Sequence, residues 1–301
     1  MSEELVDELA NRIKTMYGGR YQHLIRDLDT FHIGRDYATN VLLAKAKDAL
    51  YDSPQKILEF GSGVGGTTRI LAKRYPAAEI TTVELTPESI AYNKRTTDSK
   101  NVRYICDNIL NMDDFLKTET FDLTVCEECM CHIPNHSTLI KKIYNHLESP
   151  GVFAFTDWMI SNRVNDQEIR QVTEDWNFAK MDSRKSYTEM LEKSGFTVKI
   201  VENKSVEFTK KDDGITASLG EPPLQIYEKL INPDEKTWDI LREEILRFSD
   251  SLDLPEDIKQ NEELLQQEME KLRKMYIKTD YMLYLIWQNR MEVSLIIAQK
   301  T

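Results

Sequence analysis

Basic residues are in deficit: 39 Lys and Arg stand against 51 Asp and Glu, a formal charge of −12 over 301 residues. A nucleic-acid backbone is held by surplus cations, so docking on DNA or RNA is not expected. Long apolar runs are missing too. No stretch approaches the roughly eighteen apolar residues of a membrane-spanning helix, so no span is expected. The first helical stretch, residues 3–16, is charged throughout, unlike a signal or transit peptide. Cysteine is scarce, four in all, three of them between Cys126 and Cys131. Such a pattern makes no disulfide framework and reads as the reduced thiols of a cytoplasmic protein. The chain shows no internal repeat and no low-complexity tract.

Glycine is sparse as well, with 11 residues, which makes its clustering informative. A mostly apolar run at residues 55–60 reads as a buried strand and stops at Gly61-Ser62-Gly63-Val64-Gly65-Gly66. A helical run, 67–73, follows at once. Glycines allow positive φ and close backbone approach to a ligand, while free helix N–H groups face the same spot. An ordinary tight strand-to-helix turn would also explain the spacing. The neighbours add weight. A second strand, 79–85, carries Glu84 and Leu85 at its end, where an acid can accept from both ribose hydroxyls. Thr86 then stands at an N-cap with Pro87 at the first helical position. A third strand, 102–106, ends in Asp107-Asn108-Ile109, with polar groups suited to an adenine edge. Glu59, Glu84 and Asp107 thus close three successive strands.

Strands at 121–126, 151–158 and 197–203 alternate with helices at 137–147 and 186–194, so the sheet should be parallel. The terminal apolar stretch 292–299 supplies a seventh strand. Residues 1–50 are expected as a helical lid over the pocket, 51–211 as the core, 212–288 as a helical cap, and 289–301 as a strand returning to the core. Within the cap, Trp238, Leu241, Ile245 and Phe248 recur at helical spacing, as do Leu265, Met269, Leu272 and Tyr276. Pro233 and Pro255 mark helix starts. Core packing explains the stripe, although part of it could wall a substrate cavity.

Glu59, Gly61, Gly63 and Gly65 satisfy D/E-x-G-x-G-x-G, and here the sequence resembles the class I S-adenosylmethionine-dependent methyltransferases. A dinucleotide enzyme would instead show G-x-G-x-x-G. The resemblance implies an α/β, Rossmann-like fold whose seven-stranded, mostly parallel sheet takes its last strand antiparallel beside the sixth. It also implies S-adenosylmethionine as cofactor. Glu59, Gly61, Gly63, Gly65, Glu84, Leu85, Asp107, Asn108, Ile109 and Glu127 are its candidate contacts.

The fourth strand runs into Cys126-Glu127-Glu128-Cys129-Met130-Cys131-His132-Ile133-Pro134. Three cysteines and a histidine suggest zinc, but all lie in one short segment, whereas closed sites usually draw ligands from two. Small apolar packing groups are the expected role, and no metal is assigned. Glu128 and His132 stand four apart. Here the segment resembles a narrower group: the phosphoethanolamine and sarcosine/dimethylglycine N-methyltransferases and the sterol and tocopherol C-methyltransferases. Glu128, Cys131, His132 and Pro134 match the sterol pattern E-x-x-C-H-x-P, and Tyr17 or Tyr21 followed by His32 and Gly34 match the group's earlier layout. By that resemblance His132 is the general base or holds a lid tyrosine, and Glu128 faces the reacting atom. Tyr17 and Tyr21 join them as catalytic candidates. His32, Trp158 and Trp176 are candidates on the acceptor side, with core packing the plain alternative for Trp158.

Ammonium products and carbocation intermediates are both stabilised by a carboxylate and aromatic faces in a dry pocket. The phosphate-holding Arg and Tyr of the phospho-base enzymes are absent from Trp176-Asn177-Phe178-Ala179, and Glu127 replaces an arginine, making the mouth more anionic. The expectation is N-methylation of a cationic or neutral amine, with C-methylation of an isoprenoid or sterol-like alkene as the alternative. A non-catalytic binding protein with this fold and a protein acceptor are further alternatives. The expected partner is a small-molecule methyl acceptor, in a possible homodimer.

Overall fold

A computed structural model describes residues 30, 32–211, 228–248, 258 and 260–301. Helix α1 (Arg35–Ala49) precedes β1 (Lys56–Phe60), α2 (Gly66–Arg74), β2 (Glu79–Glu84), α3 (Pro87–Thr96) and β3 (Val102–Cys106). Next come α4 (Met112–Leu116), β4 (Phe121–Glu127), α5 (His136–Asn145), β5 (Leu147–Ile160), α6 (Asp166–Trp176), α7 (Arg184–Ser194) and β6 (Phe196–Asn203). The described chain closes with α8 (Ser205–Thr209), α9 (Glu235–Phe248), α10 (Glu262–Trp287) and β7 (Met291–Lys300).

The strands form one sheet, ordered β3-β2-β1-β4-β5-β7-β6. β1 to β5 pair in parallel, and β7 lies antiparallel between β5 and β6. The seven-stranded, mostly parallel sheet expected from the sequence is the sheet observed. Strand order reverses between β1 and β4, the crevice where α/β sheets bind ligands.

Side chains alternate between the two faces. Leu58, Phe60, Phe153 and Phe155 pack with α4, α5 and α7 on one face. Ile57, Val125, Ala154 and Ile297 pack with α1 and α2 on the other. Leu42 and Leu43 of α1, with Ala46 one helical turn on, are fully buried there, and α1 lies over β5 and β7. The lid expected over residues 1–50 therefore needs correction in its second helix. The apolar stripe makes α1 a layer of the core, and residues 1–29 lie outside those described.

In the stretch expected as a cap, Leu241 and Ile245 of α9 pack on Leu265, Met269, Leu272 and Tyr276 of α10, closing a cluster of their own. Arg242 grips Glu262 through two hydrogen bonds of 2.9 and 2.6 Å. Pro233 precedes α9 by two residues, as its helix-start role requires, whereas Pro255 lies outside the described residues. The second half of α10 leaves this cluster and joins Trp158, Phe178 and Val293 beside the sheet.

Candidate active site

The bend after β1 is built by three glycines in the left-handed region, with φ of 70°, 51° and 92° at Gly61, Gly63 and Gly65. A Cβ on Gly61 would fall on the Cys129 side chain, and one on Gly65 on the Asn93 amide. Asn93 occupies that space for a reason. Thr97 Oγ1 donates to Asn93 Oδ1 (2.7 Å), Asn93 Nδ2 to Thr68 Oγ1 (2.8 Å), and Thr68 Oγ1 to Glu59 Oε2 (2.6 Å). A relay of hydrogen bonds thus passes under the bend and ends on Glu59, which is 2% exposed. Burial pushes the Glu59 carboxyl up to about 7, opposed by the Thr68 hydroxyl and reinforced by the charges of Glu127 and Glu84. Its other oxygen, Oε1, is buried without a partner among the described residues.

Glu84 closes β2 beside this bend. Its Oε2 accepts from Gly63 N at 3.0 Å, and its Oε1 from Thr86 N and Thr86 Oγ1 at 2.9 and 2.8 Å. The Thr86 hydroxyl therefore serves Glu84 instead of capping α3, although Thr86 holds the N-cap position. A carboxylate offers about four acceptor sites, so three bonds leave room on Oε2 for a further donor. Leu85 is half-buried next to it. Asp107 Oδ1 accepts from Asn108 N and Asn111 Nδ2, and Asn108 caps the short turn through Leu110 N. Ile109 is buried behind them.

Glu127 departs from its expected place at the mouth. β4 extends through it, and its parity with Leu123 and Val125 turns it under α1 and α2, where its side chain is 3% exposed. Its Oε2 accepts from Thr39 Oγ1 (2.8 Å) and Thr67 Oγ1 (2.6 Å), and Oε1 lies 3.4 Å from His32 Nε2. His32 is buried in the same knot, its Nε2 3.0 Å from Arg35 O and 3.1 Å from Thr39 Oγ1. The knot ties the entry to α1 against the end of β4.

Glu128 follows with φ 48°, a strained value for a non-glycine residue. It is held by chain far away in sequence: Ile33 N donates to Oε1 (3.0 Å) and Trp158 Nε1 to Oε2 (2.7 Å). Burial pushes its pKa well above the ordinary carboxylate range against these two donors. His132 is half-buried, with Nδ1 3.3 Å from Asn177 O and its ring edge-on to Phe178 at 5.1 Å. Desolvation lowers its pKa to about 4, which leaves the imidazole neutral at pH 7. Trp158 is 7% exposed, and Trp176 joins the same apolar wall. Tyr17 and Tyr21 lie outside the described residues.

Beneath the loop is a support with little signature in the residues themselves. Asp157 is fully buried, accepting from Cys131 N (3.1 Å) and the Tyr187 hydroxyl (2.6 Å), and burial raises its pKa to about 6. His136 stacks on Tyr187 at 5.1 Å, with Nδ1 2.7 Å from Asp182 and Nε2 2.7 Å from Met130 O. Thr39, Asn93, Asp157 and Asp182 lie in four separate segments, with no local motif to announce them. Only Thr67 and Thr68 had one, since they follow the glycine bend directly.

Residues 31–200, over half of the chain, match a family described as a methyltransferase domain. The chain belongs to the methyltransferase-domain family. A sterol 24-C-methyltransferase from Eremothecium gossypii is 26% identical to this methyltransferase-domain protein over 188 residues, 58% of this chain and 50% of the other. The chain spans about half or less of the length of the first curated relatives that it matches. Among solved structures, a phosphoethanolamine N-methyltransferase from Haemonchus contortus superposes with a TM-score of 0.65 at 16% identity, over 97% of this chain and 59% of that one. The [4+2]-cyclase SpnF superposes with a TM-score of 0.62 at 15% identity, over 97% and 96%. These likenesses show the fold of the class I methyltransferases. No helix among the described residues is long and apolar enough to cross a membrane.

Proposed function

We propose that the protein is an S-adenosylmethionine-dependent methyltransferase acting on a small molecule. One observation carries the reading: Glu84, with acceptor capacity to spare, is clasped by Gly63 N in a positive-φ glycine bend at the switch point of the sheet. A ribose diol fits that acceptor, and the bend gives a nucleoside the close backbone approach it needs. Gly61, Gly63, Gly65, Glu84 and Leu85 would hold the cofactor, with Asp107, Asn108 and Ile109 on its base. Glu59 and Glu127 act from beneath, as negative charge under a cationic ligand. S-adenosylmethionine supplies, when bound, a methyl group already activated on a sulfonium.

The chain's task is then alignment, exclusion of water and care of a proton. We infer an amine acceptor, with Glu128 as the group facing it. Trp158 and Ile33 fix the Glu128 carboxyl from behind. Burial raises the Glu128 pKa and so its basicity, whereas His132, lowered to about 4, is a weak base, which favours Glu128 over His132 to take the proton of a newly methylated nitrogen. His132 then positions, through Asn177 and Phe178. The same carboxyl and aromatic wall would stabilise a carbocation, which keeps C-methylation of an alkene as the second reading. A cap over 212–288 belongs to this proposal, supported over its described residues by the separate apolar cluster there. A cytoplasmic setting and a homodimer are proposed with it, the former from the cysteine pattern.

Titration calorimetry with S-adenosylmethionine and S-adenosylhomocysteine, followed by a methyl-release assay over amines and isoprenoid alkenes, tests the reading. Micromolar donor affinity and methyl release to amines are expected. Donor binding without release to either class would favour a non-catalytic protein of this fold, since folds host many activities and SpnF is a cyclase. No donor binding would sink the reading.

A further inference from the structure

Asp280 on α10 is 1% exposed, yet neither carboxylate oxygen has a hydrogen-bond partner among the described residues. Buried acids elsewhere in the chain are bonded: Glu59 by Thr68, Glu84 by Gly63, Glu127 by Thr39, Glu128 by Trp158 and Asp157 by Tyr187. Desolvation alone pushes Asp280 up to about 7. Position makes the residue odder still. The stripe Leu265, Met269, Leu272, Tyr276 faces the cap cluster, and from Met282 onward α10 belongs to the cluster beside the sheet. Asp280 continues the stripe, four residues after Tyr276 and three before Leu283. Packing alone would place an apolar side chain there.

A complementary orphan stands on the adjacent helix. Trp176 ends α6, and its Nε1 is buried with no acceptor among the described residues. Lys278 Nζ lies 3.5 Å from Asp175 Oδ1, pinning the two helices together beside both orphans. Trp176 shares its cluster with Tyr281 and Tyr284, the neighbours of Asp280 on α10. The next residue, Asn177, offers the carbonyl that His132 faces. An unmatched acceptor and an unmatched donor thus stand on two helices that pack on each other, the donor one residue before the carbonyl that His132 faces.

We propose that Asp280 and Trp176 form the polar end of the acceptor pocket and hold a hydroxyl group of the acceptor, distinct from the atom methylated. The inference rests on the methyltransferase reading above. A hydroxyl donates to Asp280 and accepts from the Trp176 N–H, satisfying both groups. An ammonium would leave the indole unmatched, and a carboxylate would be repelled by Asp280. Phe178, Met282 and Leu283 line the same cluster, so the rest of the acceptor is apolar.

The test uses the full chain saturated with S-adenosylhomocysteine and a matched pair of probes, 8-aminooctan-1-ol and octylamine, in titration calorimetry. The wild type should bind the amino alcohol about tenfold or more tightly, because octylamine leaves both groups unpaired. Asp280→Leu and Trp176→Phe should each abolish the preference while leaving affinity for S-adenosylhomocysteine unchanged. Ligand-free Asp280→Leu should also melt at a higher temperature than wild type at pH 8, since no structural partner is lost. Equal binding of the two probes by wild type, a preserved preference in the variants, or a lower melting temperature for Asp280→Leu would each overturn the assignment. Failure of wild type to bind S-adenosylhomocysteine would instead overturn the donor pocket beneath it.

Discussion

The proposed donor and acceptor halves of the site are built on opposite plans. In the donor half, the groups that meet a ligand lie close together in sequence: Gly61 to Gly65 and Glu84 are joined by bonds spanning about one β-α-β unit. In the acceptor half, Glu128 is held by residues 95 and 30 positions away, and His132 faces a carbonyl 45 positions on. Local construction gives a rigid site for an invariant ligand. Distant construction lets the acceptor side change when any of several segments changes.

The largest effect is expected at Gly65. Gly65→Val forces a β-branched residue to φ 92° and drives its side chain into the Asn93 amide, cutting the relay to Glu59. Donor affinity should fall by more than about 100-fold, with circular dichroism checking that the fold persists. A variant with near-normal donor affinity would mean the bend is not the donor site. Glu128→Gln should come next. It keeps the shape but not the acid, and turnover should drop about 100-fold with donor affinity unchanged in calorimetry. Glu84→Ala should invert that pattern, weakening donor binding about 10- to 100-fold through lost charge-assisted bonds. If both variants lower donor affinity alike, the division into halves is wrong.

Smaller effects sharpen the picture. His132→Phe should lower turnover about tenfold without moving the pH–rate profile between pH 6 and 8, because a group with pKa about 4 does not titrate there. A displaced profile would restore His132 as the base. Donor affinity should rise a few-fold as pH passes through about 7. Below that value Glu59 is protonated in the folded, ligand-free protein and must ionise to favour a cation. The uncharged product, S-adenosylhomocysteine, should show a flatter dependence. The sign for stability is opposite. The raised pKa values of Glu59, Asp157 and Asp280 mean that the folded state binds more protons than the unfolded, so ligand-free stability falls from about pH 4 to 7.

These plans also explain what could be read from residues alone. The strands themselves, the glycine bend and the place of Glu84 at a strand end were legible because each depends on periodicity or spacing within a short window, whereas the antiparallel last strand came only with the family resemblance. Glu127 was misplaced because its orientation turns on whether β4 ends at residue 126 or 127, and one residue reverses the face. α1 was taken for lid because its buried triplet, Leu42, Leu43 and Ala46, is embedded among charges. Asn93 and Asp157 were invisible: a buried amide and a buried acid become meaningful only when their partners arrive from other segments. Asp280 had one faint signal, a single acid on the cap stripe.

The antiparallel insertion of β7 has a consequence beyond the sheet itself. Asn203, at the end of β6, is the register partner of Ser294 in β7, and Lys204 N bonds Val293 O at 2.8 Å. The chain therefore leaves the core and re-enters it at neighbouring points, as a handle is fixed to a cup. Whatever is carried on that handle can lengthen, shorten or be replaced while its two attachments stay where they are. A chimera bearing a foreign cap between those attachments should keep its nucleoside pocket and acquire a new diet.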